Sequence, residues 1–324
     1  MRAFSQSTLL TCAITAVAGA QSAPSLTHAK QLFDGRNYDA ARVEYSALAK
    51  ATPHDVVPEL YLGKIALAQN ETEESIRHFE QCAKIDDSNA DCHAWLGNAL
   101  GNAAMRANKF KLPFLAKRTK KEFDRAVDLD PGNIEGRMGE LQYYMQAPGF
   151  LGGSMEKARE QAAALDKVSK LRGAYATAIL AAHEKKIAEE EAAYQRAVAV
   201  APDSGLGYNG LVNVYVREKR WAEAFAMLDR VAARIPTERN IPLVVARVAY
   251  LSGEQLARGE ETAKQWIANP PKDASTNSKA AAHFRLGNRY EKTGRKELAR
   301  SEYQQSLSIN PKLDDAKKAL DGLK

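Results

Sequence analysis

Residues 280–311 read AAAHFRLGNRYEKTGRKELARSEYQQSLSINP, and this stretch decides the fold. Leu286, Gly287 and Tyr290 stand before Gly294, Ala299 and Tyr303 stand after it, and Pro311 closes the stretch. Apolar and small residues recur three and four apart on both sides of the glycine, the spacing of two amphipathic helices joined by a turn. Gly287 lets two helix backbones approach, and Tyr303 supplies bulk on the second helix. Pro311 stops that helix, because proline lacks the amide hydrogen and blocks the preceding turn. A single pair of this kind cannot bury its own apolar face, whereas stacked pairs can.

The same pattern returns upstream with a period of 34 residues. Pro202 and Pro236 are 34 apart, and Ala41, Tyr45 and Leu48 recur 34 residues later as Ser75, Phe79 and Cys82. Another unit carries Tyr208, Leu211, Tyr215, Trp221, Ala224, Leu228 and Pro236. Eight units in register begin near Ser22, Val56, Ala90, Ile134, Leu171, Gly205, Arg239 and Ala280. The units at Leu171 and Arg239 are degenerate. Insertions near 101–114 and 147–154 lengthen the units at Ala90 and Ile134. The tail from Leu313 to Lys324 gathers Ala316, Ala319, Leu320 and Leu323 on one helical face, the pattern of a capping helix.

These residues resemble the tetratricopeptide repeat, with its aromatic, Leu-Gly and Tyr in the first helix and its Ala, Phe, Ala and Pro in the second. The resemblance covers nearly all of 21–324. It implies an all-α solenoid, a right-handed superhelix of about eight helix-turn-helix units with a C-terminal cap. It also implies a concave binding face lined by the first helix of each unit. One set of equivalent positions there holds Asn98, Gln142, Asn213, Arg247 and Asn288, and a second holds Leu60, Ala94, Met138, Tyr175, Asn209, Leu243 and Phe284. Tyr250 stands at a third. Amide side chains both donate and accept, so they suit an extended peptide backbone of any sequence. Leu60, Met138, Tyr175, Leu243, Tyr250 and Phe284 would suit an apolar segment. No lysine occupies the second set, so the carboxylate clamp of chaperone-tail binders is absent.

Composition narrows the address and the chemistry. The chain has 324 residues, 45 % apolar and 27 % charged, the balance of a folded protein. A net charge of +6 is mild for that length and does not indicate a nucleic-acid binder. Arg2, the apolar run through Leu9, Leu10, Ile14 and Val17, and the small-x-small site Ala18-Gly19-Ala20 read as a signal peptide over 1–20, cleaved after Ala20. Thr11 before Cys12 does not fit a lipoprotein site. The expected address is periplasmic or secreted. In that oxidising setting Cys82 and Cys92 form an even pair, either a short-loop disulfide or two buried thiols. Three ligands counting His93 do not make a metal site of ordinary spacing.

Chemistry has few places to reside. There is no HExxH, GxSxG, P-loop or CxxC, and the six histidines are scattered. Glu189, Glu190 and Glu191 read as a solvated charge run near a helix start. The string Ala147-Pro148-Gly149-Phe150-Leu151-Gly152-Gly153-Ser154 reads as a lengthened turn with Ser154 capping the next helix. It resembles a string in exported bacterial repeat proteins and, more distantly, the helical accessory component of tripartite substrate-binding transporters. The first insertion leads into Lys109, Lys111, Lys117, Arg118, Lys120 and Lys121, interrupted by Phe110 and Phe114, which suits an anionic membrane surface, an acidic partner or a solvated basic face. The expectation is a non-enzymatic exported scaffold without cofactor or metal. It binds a protein or peptide segment in its concave groove, in envelope assembly or trafficking. The alternative is a ligand-binding accessory subunit of a transport system, with a small molecule held in the superhelix.

Overall fold

The computed structural model describes residues 25–271 and 274–323. The proposed signal segment, with Cys12, lies outside the described residues. Among these residues the chain is helical throughout, in eight antiparallel pairs and a cap. The pairs are α1 (Leu26–Asp34) with α2 (Tyr38–Ala51), α3 (Val56–Ala68) with α4 (Thr72–Ile85), α5 (Ala90–Met105) with α6 (Leu112–Leu129), and α7 (Ile134–Gln146) with α8 (Met155–Val168). They continue with α9 (Lys170–His183) and α10 (Ile187–Val200), α11 (Gly205–Arg217) and α12 (Trp221–Arg234), α13 (Ile241–Ser252) and α14 (Leu256–Ala268), and α15 (Thr276–Lys292) and α16 (Lys296–Ile309). The cap is α17 (Asp314–Gly322), which packs on α16.

Local chemistry sets the helix boundaries. Asp55, Asn89, Asn133, Ser154, Ser169, Ser204 and Ser275 each cap a helix, the side-chain oxygen accepting from a backbone amide of the first turn. The turn inside each ordinary unit uses a residue with positive φ, at Arg36, Asn70, Lys185, Lys219, Gly253 and Gly294, with Gln255 a second one in the turn before α14. Arg36 and Asn70 are 34 apart, as are Lys185, Lys219 and Gly253, so the turn geometry keeps the period. The two remaining units hold the insertions at this same place. The first lengthens α5 to 16 and α6 to 18 residues around a short loop. The second is a 3-10 turn over Gly149–Leu151, with Gly152 at φ 94 and Ser154 capping α8. Both insertions therefore sit side by side on one edge of the array.

Rings from second helices lock into glycines of first helices. A Cβ on Gly63 would lie 2.4 Å from the Phe79 ring, and one on Gly287 would lie 2.5 Å from that of Tyr303. Phe123 serves two units, since a Cβ would meet its ring at 2.5 Å from Gly97 and at 2.2 Å from Gly139. The contacts at Gly63, Gly97 and Gly287 close a pair, the one at Gly139 fastens a pair to the next, and the apolar clusters follow one another along the solenoid. Cys82 of α4 and Cys92 of α5 form a disulfide with a Cα–Cα separation of 5.6 Å, within the usual range, which selects the bridged reading.

Glu190 departs from the solvated run expected of it. It is buried and accepts from the Arg217 guanidinium at 2.5 Å, while Glu191 accepts from Arg220. The charges are spent holding α10 to α11 and its turn.

Candidate functional site

The inner face is identified by which helices touch. First helices pack on the first helices of neighbouring units, α3 on α5, α5 on α7, α7 on α9 and α13 on α15. The second helices show no comparable packing on one another among the described residues. The row of first helices is thus the tighter, concave side.

Along it, Gln142, Asn209 and Asn213 are exposed, and Asn98, Tyr175, Arg247, Tyr250 and Phe284 are half-buried. The Arg247 guanidinium donates to Asn213 Oδ1 at 3.1 Å and so ties two units of the row together. Lys292 lies over the Tyr250 ring and donates to its carbonyl at 2.9 Å. Asn288 does not join the accessible row. It is buried, and the Tyr303 hydroxyl donates to its Oδ1 at 2.8 Å. Leu60, Met138 and Leu243 are also buried, in the seams between helices, so the groove is less apolar than expected. Asn209 is exposed because its turn of α11 faces outward from that seam.

Three residues of this face were not singled out from the sequence. Lys64 lies 4.7 Å from the Trp95 ring centre and 5.1 Å from that of Tyr61, and burial pushes its ammonium pKa down. Trp95 lines a cavity. Arg285 on α15 forms no ion pair or hydrogen bond with a carboxylate among the described residues. Its Nε is buried without a partner, as is that of Arg247. Burial, and then the nearby Arg247 charge, push the Arg285 guanidinium down to about 10, so it stays charged at neutral pH. A half-buried cation with its Nε shut off from water and no counter-charge is costly to fold around. It marks a place where an outside carboxylate is favoured.

A cavity of about 540 Å³ opens where α5, α6 and α7 meet. Asn98 and Asn102 of α5 and Gln142 and Gln146 of α7 form two amide rows along it. Ala116, Thr119 and Phe123 of α6 make the floor. The insertions supply its ends, Met105 and Leu112 from the first, Pro148 and Leu151 from the second. Tyr143 holds the second insertion in place by donating its hydroxyl to the Leu151 carbonyl at 2.6 Å. Thr119 Oγ1 is buried there with no hydrogen-bond partner.

Beneath the glycine-rich turn lies a charged cluster. Lys120, whose side chain reaches Gly152, donates to both carboxylate oxygens of Asp124 at 2.7 and 2.6 Å. Glu140 is buried beside them, and desolvation, followed by the Asp124 charge, pushes its carboxyl up to about 7. Glu140 does not line the cavity, so no substrate path reaches it there. The linkage is destabilising as pH rises. Between the ordinary value of 4.5 and about 7 the folded chain binds the extra proton, so stability falls across that window and is level above it. Urea midpoints measured at about pH 5 and about pH 8 should show this fall, and Glu140→Gln should remove it while gaining on the order of 1–3 kcal/mol at the higher pH. Among the described residues no group of His, Cys, Asp and Glu is placed to hold a metal. His93 instead bonds Glu122 at 2.7 Å and the Asp87 carbonyl at 3.0 Å.

The sequence profile of the tetratricopeptide repeat matches residues 280–313, the stretch that forms α15 and α16. This unit is a tetratricopeptide repeat. No curated protein matches the sequence. The tetratricopeptide array is similar in structure to the Cut9–Hcn1 hetero-tetramer of APC/C, at 13 % identity and a TM-score of 0.53, over 92 % of this chain and 55 % of that one. A tetratricopeptide protein from Parabacteroides merdae aligns over 92 % of this chain and 96 % of its own, at 13 % identity and a TM-score of 0.49. Another, from Thermus thermophilus, aligns over 61 % of this chain and 98 % of its own, at 16 % identity and the same score. The likeness is one of fold, an α-solenoid of stacked helix pairs.

Proposed function

We propose that this array is a non-enzymatic scaffold whose concave face holds a protein segment carrying an acidic side chain. The carrying observation is Arg285, a guanidinium with no carboxylate partner among the described residues, set beside Arg247 on the inner face. Gln142, Asn209 and Asn213 are exposed along the same row and suit a peptide backbone. The partner's carboxylate would supply the missing counter-charge, and a bidentate pair with Arg fixes its direction. The reading places the protein outside the cytoplasm, in envelope assembly or trafficking. That part rests on Arg2, the apolar run and Ala18-Gly19-Ala20.

The test is photo-crosslinking in intact cells from a probe at Asn213, with a matched probe at Lys296 on α16. A discrete protein adduct from position 213 alone is the expected result. Equal adducts from both positions, or none from either with the protein abundant and folded, would count against a protein-binding groove.

A further inference from the structure

The two insertions leave apolar side chains in water. Phe150 is 84 % exposed, Phe110 82 %, and Phe114 and Met105 each 70 %, the most exposed large apolar residues described. All four belong to the insertions or the helix ends they extend. Each flanks or belongs to the cavity lining, since Met105 and Leu112 line one end and Leu151 the other. Met105 belongs both to the exposed set and to the cavity lining, and the same two insertions supply the exposed rings and the cavity ends.

Its charge has a single sign. Residues 101–121 contain no Asp or Glu and seven Lys or Arg, and 146–155 contain no charged residue. Arg118 is paired with Glu80 and Lys120 with Asp124. Lys109, Lys111, Lys117 and Lys121 are exposed and have no carboxylate partner among the described residues. Lys109 lies 5.3 Å from the Phe110 ring centre. Phe114, Lys117 and Lys121 are three and seven residues apart along α6, which places them on one face.

Aromatic rings interleaved with free lysines suit a bilayer interface, where rings sit at headgroup level and ammonium groups meet anionic phosphates. The cavity has the size and lining of a small-molecule site, apolar with a few polar groups. We propose that this edge rests on an anionic bilayer surface and that the cavity between α5, α6 and α7 takes one acyl chain of an anionic phospholipid. The lysines alone would also suit an acidic protein segment, and it is the bare Phe110, Phe114 and Phe150 rings among them that favour the bilayer.

The test uses the full chain and vesicles of phosphatidylcholine alone or mixed with phosphatidylglycerol. Sedimentation with the mixed vesicles should exceed that with the neutral ones by about ten-fold. The exposed-site variant Phe110→Ser/Phe114→Ser/Phe150→Ser, which touches no core residue, should lose the difference. Lys109→Gln/Lys111→Gln/Lys117→Gln should reduce it. Phosphatidylglycerol brominated along its acyl chains should quench part of the tryptophan fluorescence, and Trp95→Phe should abolish that part. Equal sedimentation with both vesicles, no sedimentation with either, or retention by the serine variant would overturn the surface contact. Sedimentation without Trp95 quenching would overturn the acyl site. None of these outcomes bears on the crosslink from Asn213, which reads a different part of the groove.

Discussion

Replacing Phe123 by alanine is expected to cost about 3–5 kcal/mol, the range for a buried phenylalanine. The ring is buried and fills the space left by Gly97 on one side and Gly139 on the other, so it joins α6 to the first helices of two successive units. Truncation opens a void in both contacts at once, and the backbones cannot close it without shifting the stack. A solenoid of nearest-neighbour contacts responds locally, so the units α5 to α8 should unfold ahead of the rest. Urea unfolding followed by circular dichroism should show an earlier first phase. A loss under about 1 kcal/mol would mean that the ring does not lock these units. The complementary change, Gly139→Val, should be as harmful, because even its Cβ would fall 2.2 Å from the same ring.

Loss of the disulfide comes next in size. The bridge closes a loop between Cys82 and Cys92, ten residues apart. In the chain-entropy account such a loop is worth about 2–3 kcal/mol. Cys82→Ala/Cys92→Ala should lower stability by about that amount, and the wild type under strong reductant should fall to within about 1 kcal/mol of it. The bridge joins α4 to α5, so its loss loosens the same region that Phe123 holds. If the oxidised and reduced wild-type chains unfold at the same urea concentration, the bridge contributes nothing to the folded state.

The fold was legible because its determinants are local. Pro202, Pro236 and Pro311 end helices by their own chemistry, and Gly287 with Tyr303 sets a helix contact inside one unit. The period of 34 carried that reading along the chain, through the degenerate units at Leu171 and Arg239 to all eight pairs. The site was less legible because it depends on neighbours distant in sequence. Asn288 looked available until the Tyr303 hydroxyl, fifteen residues on, was seen to occupy it. Glu190 looked solvated because Arg217 lies 27 residues away. Leu60 and Asn209 hold equivalent positions in the repeat, yet one is buried and the other exposed. The cavity exists only because two insertions, 44 residues apart in register at Asn98 and Gln142, meet on one edge. No local pattern announces Trp95 or Thr119 as its lining. Arg285 carries no motif either. Its signal is the absence of a carboxylate partner in space.

That absence gives the most direct test of the central claim, that the concave face is built to hold an acidic protein segment. The measurement is the crosslinking yield from the Asn213 probe in an Arg285→Met chain, paired with its urea midpoint. Removing an unpaired, half-buried charge should leave the chain as stable as the wild type or more so. The same change should lower the adduct by about ten-fold, the loss of one charge-assisted contact. A chain that is destabilised yet crosslinks at the wild-type yield would contradict the account, because Arg285 would then serve the fold and not the partner.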